Sequence, residues 1–208
     1  MNILAVGAHF DDVELGCGGT LIKHVRQGDR VHIIVVSESE YRNPKGETIR
    51  DAEVAEAEGR AAAAIIGASL ECLGFKTFHV PFAEELTSLF DQRLKDLAVD
   101  MVYTHWPYDV HRDHQFVTKN VLMAARHVPR VLAYRSNHYD AEQPFRGTFY
   151  SDISDDMEQK IACIKCHVSE LERVNYAWVD FFRRQNQNDG MAIGVEYAER
   201  FEVIRYLV

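Results

Sequence analysis

The chain has little cysteine, no excess of positive charge and no long apolar run. Its 4 cysteines among 208 residues do not indicate a disulfide-built scaffold, and a chain of this length buries enough apolar surface to fold without such links. A formal net charge of -9 argues against a nucleic-acid binder, because no basic field is available to attract phosphates. No apolar stretch approaches the length of a bilayer span, so we expect no membrane segment.

Two familiar motifs are also missing. The first residues, MNILAVGAH, lack the basic region and cleavage site of a signal peptide and instead predict a first strand, so we expect a cytoplasmic protein with reduced cysteines. Gly16, Gly18 and Gly19 do not follow the order GxGxxG of a dinucleotide site. This argues against a metal-independent nucleotide-binding domain, and we expect the glycines to let backbone segments approach closely.

Strand-like and helix-like segments alternate along the chain, which predicts an α/β fold with a mostly parallel open sheet. We expect a single domain over residues 1–208. Residues 37–48 are polar and predict a loop, a possible lid, and 196–208 are too mixed to assign. The predicted strands are 2–6, 31–36, 70–73, 100–104 and 131–134, and the predicted helices are 13–27, 48–66, 84–97, 114–127, 155–173 and 176–184.

Two clusters of histidines and carboxylates each follow a predicted strand. The first is AHFDD (Ala8–Asp12), and the second is HRDH (His111–His114). Each has an ordinary explanation by itself, since an aspartate before a helix is often an N-cap. However, the carboxyl ends of parallel strands lie at one edge of a sheet, where ligands bind. We therefore expect the sheet to bring His9 and His114 together.

The two clusters supply the ligand set of a hydrolytic zinc site. Two imidazoles and one carboxylate, from His9, Asp12 and His114, would leave an open position for water. The same set accepts iron. The sequence therefore predicts a zinc hydrolase.

The remaining polar side chains of the clusters suit the catalytic steps. Asp11 is the candidate general base, facing the attacking water. His111 would stabilise the oxyanion or protonate the leaving amine, and Asp113 would hold His111 in the required tautomer.

The clusters also carry a family resemblance. Residues 8–20, AHFDDVELGCGGT, closely resemble the AHPDDxExGCGGT signature of the LmbE/PIG-L-like zinc de-N-acetylases, and HRDH resembles that family's HPDH motif. Downstream, Lys160–Ser169 and Tyr197–Phe201 resemble its KxxAxxxHxS and AExF segments. The resemblance implies a Rossmann-like three-layer α/β/α fold and hydrolysis of an N-acetyl or other N-acyl group. It assigns His9, Asp12 and His114 to the metal, and Asp11, His111 and Asp113 to catalysis, as above.

The resemblance also implies a small N-acetylated sugar or sugar conjugate as the substrate and an oligomer as the assembly. Arg50 resembles an arginine that often faces the substrate, and His167 lies in the HxS segment, so both are candidate substrate contacts. Arg112 replaces the proline of HPDH and is a third candidate, because its charge could meet a phosphate or carboxylate. Phe10 replaces the proline of AHPDD, which should loosen the loop without removing a reacting atom.

Alternatives remain open. The scissile amide could belong to a thiol conjugate rather than to a sugar. A catalytically retired member would bind metal or ligand without turnover, although it would not need Asp11, His111 and Asp113. The string Cys163–His167 matches the CxxCH of c-type haem attachment, but haem would require export, and a buried helix face explains the cysteines.

Overall fold

The structure is a computed structural model that describes residues 1–208. Strands and helices alternate as the sequence predicts. The strands are β1 (Asn2–Gly7), β2 (Arg30–Ser37), β3 (Tyr41–Arg42), β4 (Thr48–Arg50), β5 (Ser69–Phe75), β6 (Met101–His105), β7 (Arg130–Tyr134), β8 (Phe149–Asp152) and β9 (Ala198–Tyr206). The helices are α1 (Asp12–Arg26), α2 (Ala52–Ile66), α3 (Glu84–Asp96), α4 (Arg112–Ala124), α5 (Met157–Lys165), α6 (Val168–Arg173) and α7 (Ala177–Met191), with a 3₁₀ turn at Ala125–His127.

Seven strands form the central sheet in the order β5-β2-β1-β6-β7-β9-β8. The strands from β5 to β7 are all parallel, whereas β9 is antiparallel to both β7 and β8. The predicted mostly parallel α/β sheet is therefore confirmed. Because β1 lies between β2 and β6, its carboxyl end is flanked by the carboxyl ends of these two strands.

Both faces of the sheet are covered by helices. Side chains of β1 alternate between the faces: Ile3 packs in the same core cluster as α1 and α2, and Leu4 in the cluster with α3 and α4. This alternation follows from the two-residue period of a strand. A third cluster, between α5, α6 and α7, extends the core beyond α1. The result is the predicted three-layer arrangement.

Several predicted boundaries differ from the structure. The predicted loop 37–48 includes β3, which pairs with β4 in a two-stranded antiparallel sheet. Helix α2 begins after Asp51, whose side chain accepts a hydrogen bond from the Glu53 N–H, and not at residue 48. The segment 155–173 is two helices, broken where the side chain of His167 is buried.

The end of the chain also differs from its sequence pattern. Helix α7 continues to Met191, beyond the predicted end at residue 184, and β9 lies within the unassigned residues 196–208. Strand β9 begins with buried residues and ends with exposed ones, including Val203 and Ile204, which explains its mixed pattern.

Two glycines allow close packing around α1. A Cβ at Gly16 would overlap the ring of Tyr134, and a Cβ at Gly59 of α2 would overlap the ring of Phe10. Phe10 is fully buried. The residue that replaces the usual proline is therefore held by a core contact with α2, although the sequence suggested a looser loop.

A buried ion pair supports α1 from behind. Lys160 and Glu199 are both fully buried, with Nζ 2.6 Å from Oε1. Glu199 also accepts hydrogen bonds from the N–H groups of Gly19 and Thr20, and Lys160 donates to the carbonyl of Leu15. The pair thus ties α5 and β9 to the helix that begins with Asp12.

Candidate metal centre and catalytic cavity

A cavity of about 420 Å³ opens at the carboxyl edge of the parallel strands. The loops after β1 and β6 contribute both predicted clusters, and the loops after β5 and β7 complete the walls. Residues from the two-stranded β3–β4 sheet, α6 and α7 form its outer part. Six predicted site residues line the cavity: His9, Asp11, Asp12, Arg50, His111 and His114.

The three predicted metal ligands lie together. The Nδ1 atom of His9 is 3.3 Å from both Nε2 of His114 and Oδ2 of Asp12. Nε2 of His114 is 3.2 Å from Oδ1 of Asp12. Metal–ligand bonds of about 2.0–2.1 Å in a tetrahedron separate the ligand atoms by roughly 3.3 Å. The spacing and the nitrogen–oxygen donor set therefore fit a zinc-like ion.

Each of the two imidazoles has a carboxylate behind it. Oδ2 of Asp113 is 3.2 Å from Nε2 of His9, and Oδ2 of Asp109 is 3.1 Å from Nδ1 of His114. Such carboxylates fix the ring orientation and the tautomer of metal-binding histidines. Asp113 was predicted to orient His111, but its carboxylate instead contacts His9 and the N–H of Phe78.

The carboxylates also make the centre favour positive charge. Burial lowers the pKa of His9, but Asp113 and Asp12 outweigh it and raise that pKa to about 9. Burial likewise opposes the protonated form of His114, yet Asp12 and Asp109 raise its pKa to about 10. Each imidazole thus lies where a cation is stabilised, as a metal site requires.

His105 is a fourth histidine at this centre that the sequence analysis did not select. Its Nε2 is 3.3 Å from Oδ2 of Asp12, and its ring stacks on His114 at 4.0 Å between centroids. Asp12, His105 and His114 could therefore also be grouped as ligands. However, Nε2 of His105 accepts a hydrogen bond from the Ala8 N–H, so its lone pair is already engaged. Burial and the charge of His114 lower its pKa to about 4.

Asp11 lies beside the three ligands with an unusual backbone. Its φ of 123° is in a region that favours glycine, and strained residues of this kind concentrate at functional sites. Its carboxylate is 3.6 Å from Nη1 of Arg50. Burial and the charge of Asp12 raise the pKa of Asp11 to about 7, against the effect of Arg50.

His111 is the N-cap of α4, and this role sets its tautomer. Its Nδ1 accepts the N–H of Asp113 at 3.2 Å, so the neutral ring carries its proton on Nε2. Burial, with the charges of His9 and His114, lowers its pKa to about 4. The ring stacks on Phe78, with 5.6 Å between centroids. His111 is thus a neutral hydrogen-bond donor that lines the cavity.

The three predicted substrate contacts have different positions. Arg50 lines the cavity but is 3% exposed, and it donates to the Phe10 carbonyl and to Glu58. His167 is buried behind the cavity, 3.4 Å from a carboxylate oxygen of Glu14. Arg112 is exposed, does not line the cavity, and donates to the carbonyl of Phe78. Arg50 therefore supports Asp11, and a substrate contact by Arg112 would require it to leave Phe78.

Other side chains at the site were missed because the loops that carry them have no motif. Phe78 and Thr77 follow β5, and Ser136 and Asn137 follow β7. Ser136 donates to Oδ1 of Asp12 at 2.8 Å, and Asn137 donates to Asp109. The CxxCH string has no open site: Cys163 is fully buried, and burial raises the pKa of its thiol.

Comparison with known proteins gives a consistent result. Residues 4–125 match the model of the family described as PIG-L: GlcNAc-PI de-N-acetylase. The chain is 30% identical over 148 residues to a protein of Escherichia coli K12 named "uncharacterized deacetylase YaiS", which covers 65% of this chain and 74% of that protein.

Solved structures share the whole fold. The conserved protein TT1542 from Thermus thermophilus has a TM-score of 0.83 at 27% identity, covering 99% of this chain and 95% of that one. The N,N'-diacetylchitobiose deacetylase from Pyrococcus horikoshii also has a TM-score of 0.83, at 20% identity over 98% and 83% of the two chains. So does the 4-carboxy-2-hydroxymuconate hydratase GalB from Pseudomonas putida KT2440, at 19% identity over 100% and 97%. The fold alone therefore does not determine the reaction.

Proposed function

Since the chain belongs to the PIG-L (GlcNAc-PI de-N-acetylase) family, we propose that it is a zinc-dependent hydrolase that removes an N-acetyl or other N-acyl group from an amino sugar, a nucleotide sugar or a related glycoconjugate. The E. coli relative carries a deacetylase name, and a solved neighbour deacetylates diacetylchitobiose. The observation that carries the proposal is the meeting of His9, Asp12 and His114 at 3.2–3.3 Å beside Asp11 in one cavity.

In this proposal His9 through Nδ1, Asp12 through its carboxylate and His114 through Nε2 hold the metal. A zinc ion bound there would supply Lewis acidity, polarising a carbonyl and lowering the pKa of water to roughly 7. Iron fits the same donors. Asp113 and Asp109 hold the two rings with the coordinating nitrogens turned inward.

Asp11 and His111 would carry out proton transfer and oxyanion stabilisation, respectively. The Asp11 carboxylate lines the cavity next to Asp12, held by Arg50, and takes the proton of the attacking water. The Nε2–H of His111 donates to the oxyanion that forms at the acyl carbon. The proton taken by Asp11 then passes to the amide nitrogen, so that the C–N bond breaks and the nitrogen leaves as a neutral amine.

Two alternatives share the same cavity. An amidase for a thiol conjugate would use the same residues on another scissile amide. A retired member would bind metal without turnover, and the presence of Asp11 and His111 beside the ligands speaks against it. Assembly into a homo-oligomer and a cytoplasmic location stay predictions. None of the helices has both the length and the apolar character needed to span a bilayer.

The test is release of acetate and amine from a panel of N-acetylated sugars, nucleotide sugars and glycosides, using protein of known metal content. We expect release from at least one member, lost with a chelator and restored by zinc. Stoichiometric zinc without release from any member would favour the retired alternative. Failure to bind a metal after reconstitution would contradict the proposal.

A further inference from the structure

The two arginines of the cavity are already neutralised by the protein. Arg50 is 3% exposed, with Nη1 2.9 Å from the Phe10 carbonyl and Nη2 3.1 Å from Oε2 of Glu58. Arg173 places Nε and Nη2 at 2.9 and 2.5 Å from one oxygen, Oε2, of Glu170. No other arginine and no lysine lines the cavity. A phosphate on the substrate would therefore meet no arginine or lysine that lacks a carboxylate partner.

The ion pair of Arg173 is itself well supported. Glu170 is 3% exposed, and its second oxygen accepts the hydroxyl of Tyr41 at 2.9 Å. The guanidinium of Arg173 lies 5.5 Å from the ring centre of Trp178. Tyr41 and Trp178 thus hold the pair, and releasing Arg173 would leave the buried carboxylate of Glu170 without its cation, which is costly.

The outer wall of the cavity is aromatic. Tyr41, Phe78, Tyr139 and Trp178 line it, and the residues Phe78 and Tyr139 are 44% and 58% exposed. His138 lies in the same wall, its ring 4.5 Å from that of Tyr139. Exposed rings grouped at a cavity mouth offer apolar faces for stacking rather than charges for pairing.

We infer that the cavity accepts an uncharged N-acetylated glycoside with an apolar or aromatic aglycone. It discriminates against a sugar that carries a phosphate in place of the aglycone. This inference rests on the proposed function, since the acyl group must reach His9, Asp12 and His114. The aromatic wall would cover the aglycone, whereas a phosphate there would meet only arginines that Asp11, Glu58 and Glu170 already pair.

Three substrates with the same acylated sugar separate charge from stacking: N-acetylglucosamine, its 1-phosphate and its phenyl β-glycoside. We expect kcat/KM to be highest for the phenyl glycoside and at least tenfold lower for the 1-phosphate. The Tyr139→Ala variant should lose about fivefold on the phenyl glycoside and less than twofold on the free sugar. Tyr108→Ala, which removes an exposed ring outside this cavity, is the matched control.

Two further variants test the arginine directly. Glu170→Gln keeps the shape but frees the charge of Arg173, so the relative kcat/KM of the 1-phosphate should rise severalfold. Glu172→Gln removes a charge from an exposed position of the same helix and should leave the ratio unchanged. Arg173→Gln leaves the Glu170 carboxylate unpaired and should not raise the ratio. Thermal unfolding of each variant shows whether it is folded.

A preference for the 1-phosphate that disappears in Arg173→Gln would overturn the inference, because Arg173 would then be a phosphate site. Binding to the zinc-loaded Asp11→Asn protein, measured by calorimetry, separates this from the proposed function. Tighter binding of the phenyl glycoside without turnover by the wild type would contradict the hydrolase and retain the ligand class. Turnover with a preference for the 1-phosphate would support the hydrolase and contradict the inferred ligand class.

Discussion

The Asp113 carboxylate faces His9, not His111, with Oδ2 3.2 Å from Nε2 of the ring. The same oxygen accepts the N–H of Phe78 at 2.7 Å. Asp113 therefore connects α4 and the loop after β5 to the loop after β1. We therefore expect Asp113 to act on the candidate metal site through the orientation of His9.

Asp113→Asn should weaken metal binding by about 10- to 100-fold, because the His9 ring loses the carboxylate that fixes it. Zinc affinity, measured by competition with a chromogenic chelator, checks this. Asp180→Asn, at an exposed position of α7, is the control. If the variant kept the zinc affinity of the wild type but lost much of its kcat, Asp113 would act by orienting His111 instead of His9.

The Asp11→Asn variant should keep its metal and its folded structure. Its kcat should fall by about 10²- to 10⁴-fold, the usual contribution of a general base. The amide keeps the size of the side chain and cannot take a proton. Metal content and kcat should be measured on the same sample. Loss of zinc in this variant would show that Asp11 is a ligand.

Lys160→Met should destabilise the protein by about 3–5 kcal/mol, because it leaves the Glu199 carboxylate buried without its cation. Urea unfolding measures the loss. Lys165→Met, at an exposed position of the same helix, should cost little. Adding Glu199→Gln to Lys160→Met should recover part of the stability, and a further loss in the double variant would contradict this account.

His167 should give a pH-dependent contribution to stability. Burial lowers its pKa, but Glu14 at 3.4 Å outweighs burial, so the pKa in the folded state lies above the ordinary value of about 6.5. The protonated form therefore stabilises the fold fully below about pH 6.5, and this contribution is lost as the pH rises through the folded pKa.

The difference in unfolding free energy between the wild type and His167→Gln should accordingly be larger at pH 5.5 than at pH 8.5. Urea titrations at both pH values measure it. His127→Gln, at an exposed position, should show no such change. An equal difference at the two pH values would mean that the proton on His167 does not contribute.

Gly59→Ala should destabilise the protein by about 1–3 kcal/mol, although alanine is the better helix former, because its Cβ would overlap the ring of Phe10. In a Phe10→Ala background the same methyl group should be tolerated. A double-mutant cycle by urea unfolding gives the coupling energy. Equal costs of Gly59→Ala in the two backgrounds would contradict the contact.

The candidate metal site and the parallel sheet could be predicted because they depend on local patterns. Two motifs that directly follow buried parallel strands lie at the same edge of the sheet, so His9 and His114 could be expected to approach each other, and the adjacency of β1 and β6 brings them together. The partner of Asp113 could not, because Phe78 belongs to a loop without a motif. Strand β9 was missed since half of its length is exposed, and the break before α6 depends on burying His167, a tertiary contact.

The contact of Phe10 with Gly59 also constrains the order of changes in the history of the chain. A phenylalanine at position 10 fits only when position 59 has no side chain. From a chain with proline at position 10 and alanine at position 59, acquiring glycine first would cost about 1 kcal/mol of helix propensity. Acquiring phenylalanine first would instead cost the overlap, about 1–3 kcal/mol, so the order with glycine first would lose less stability.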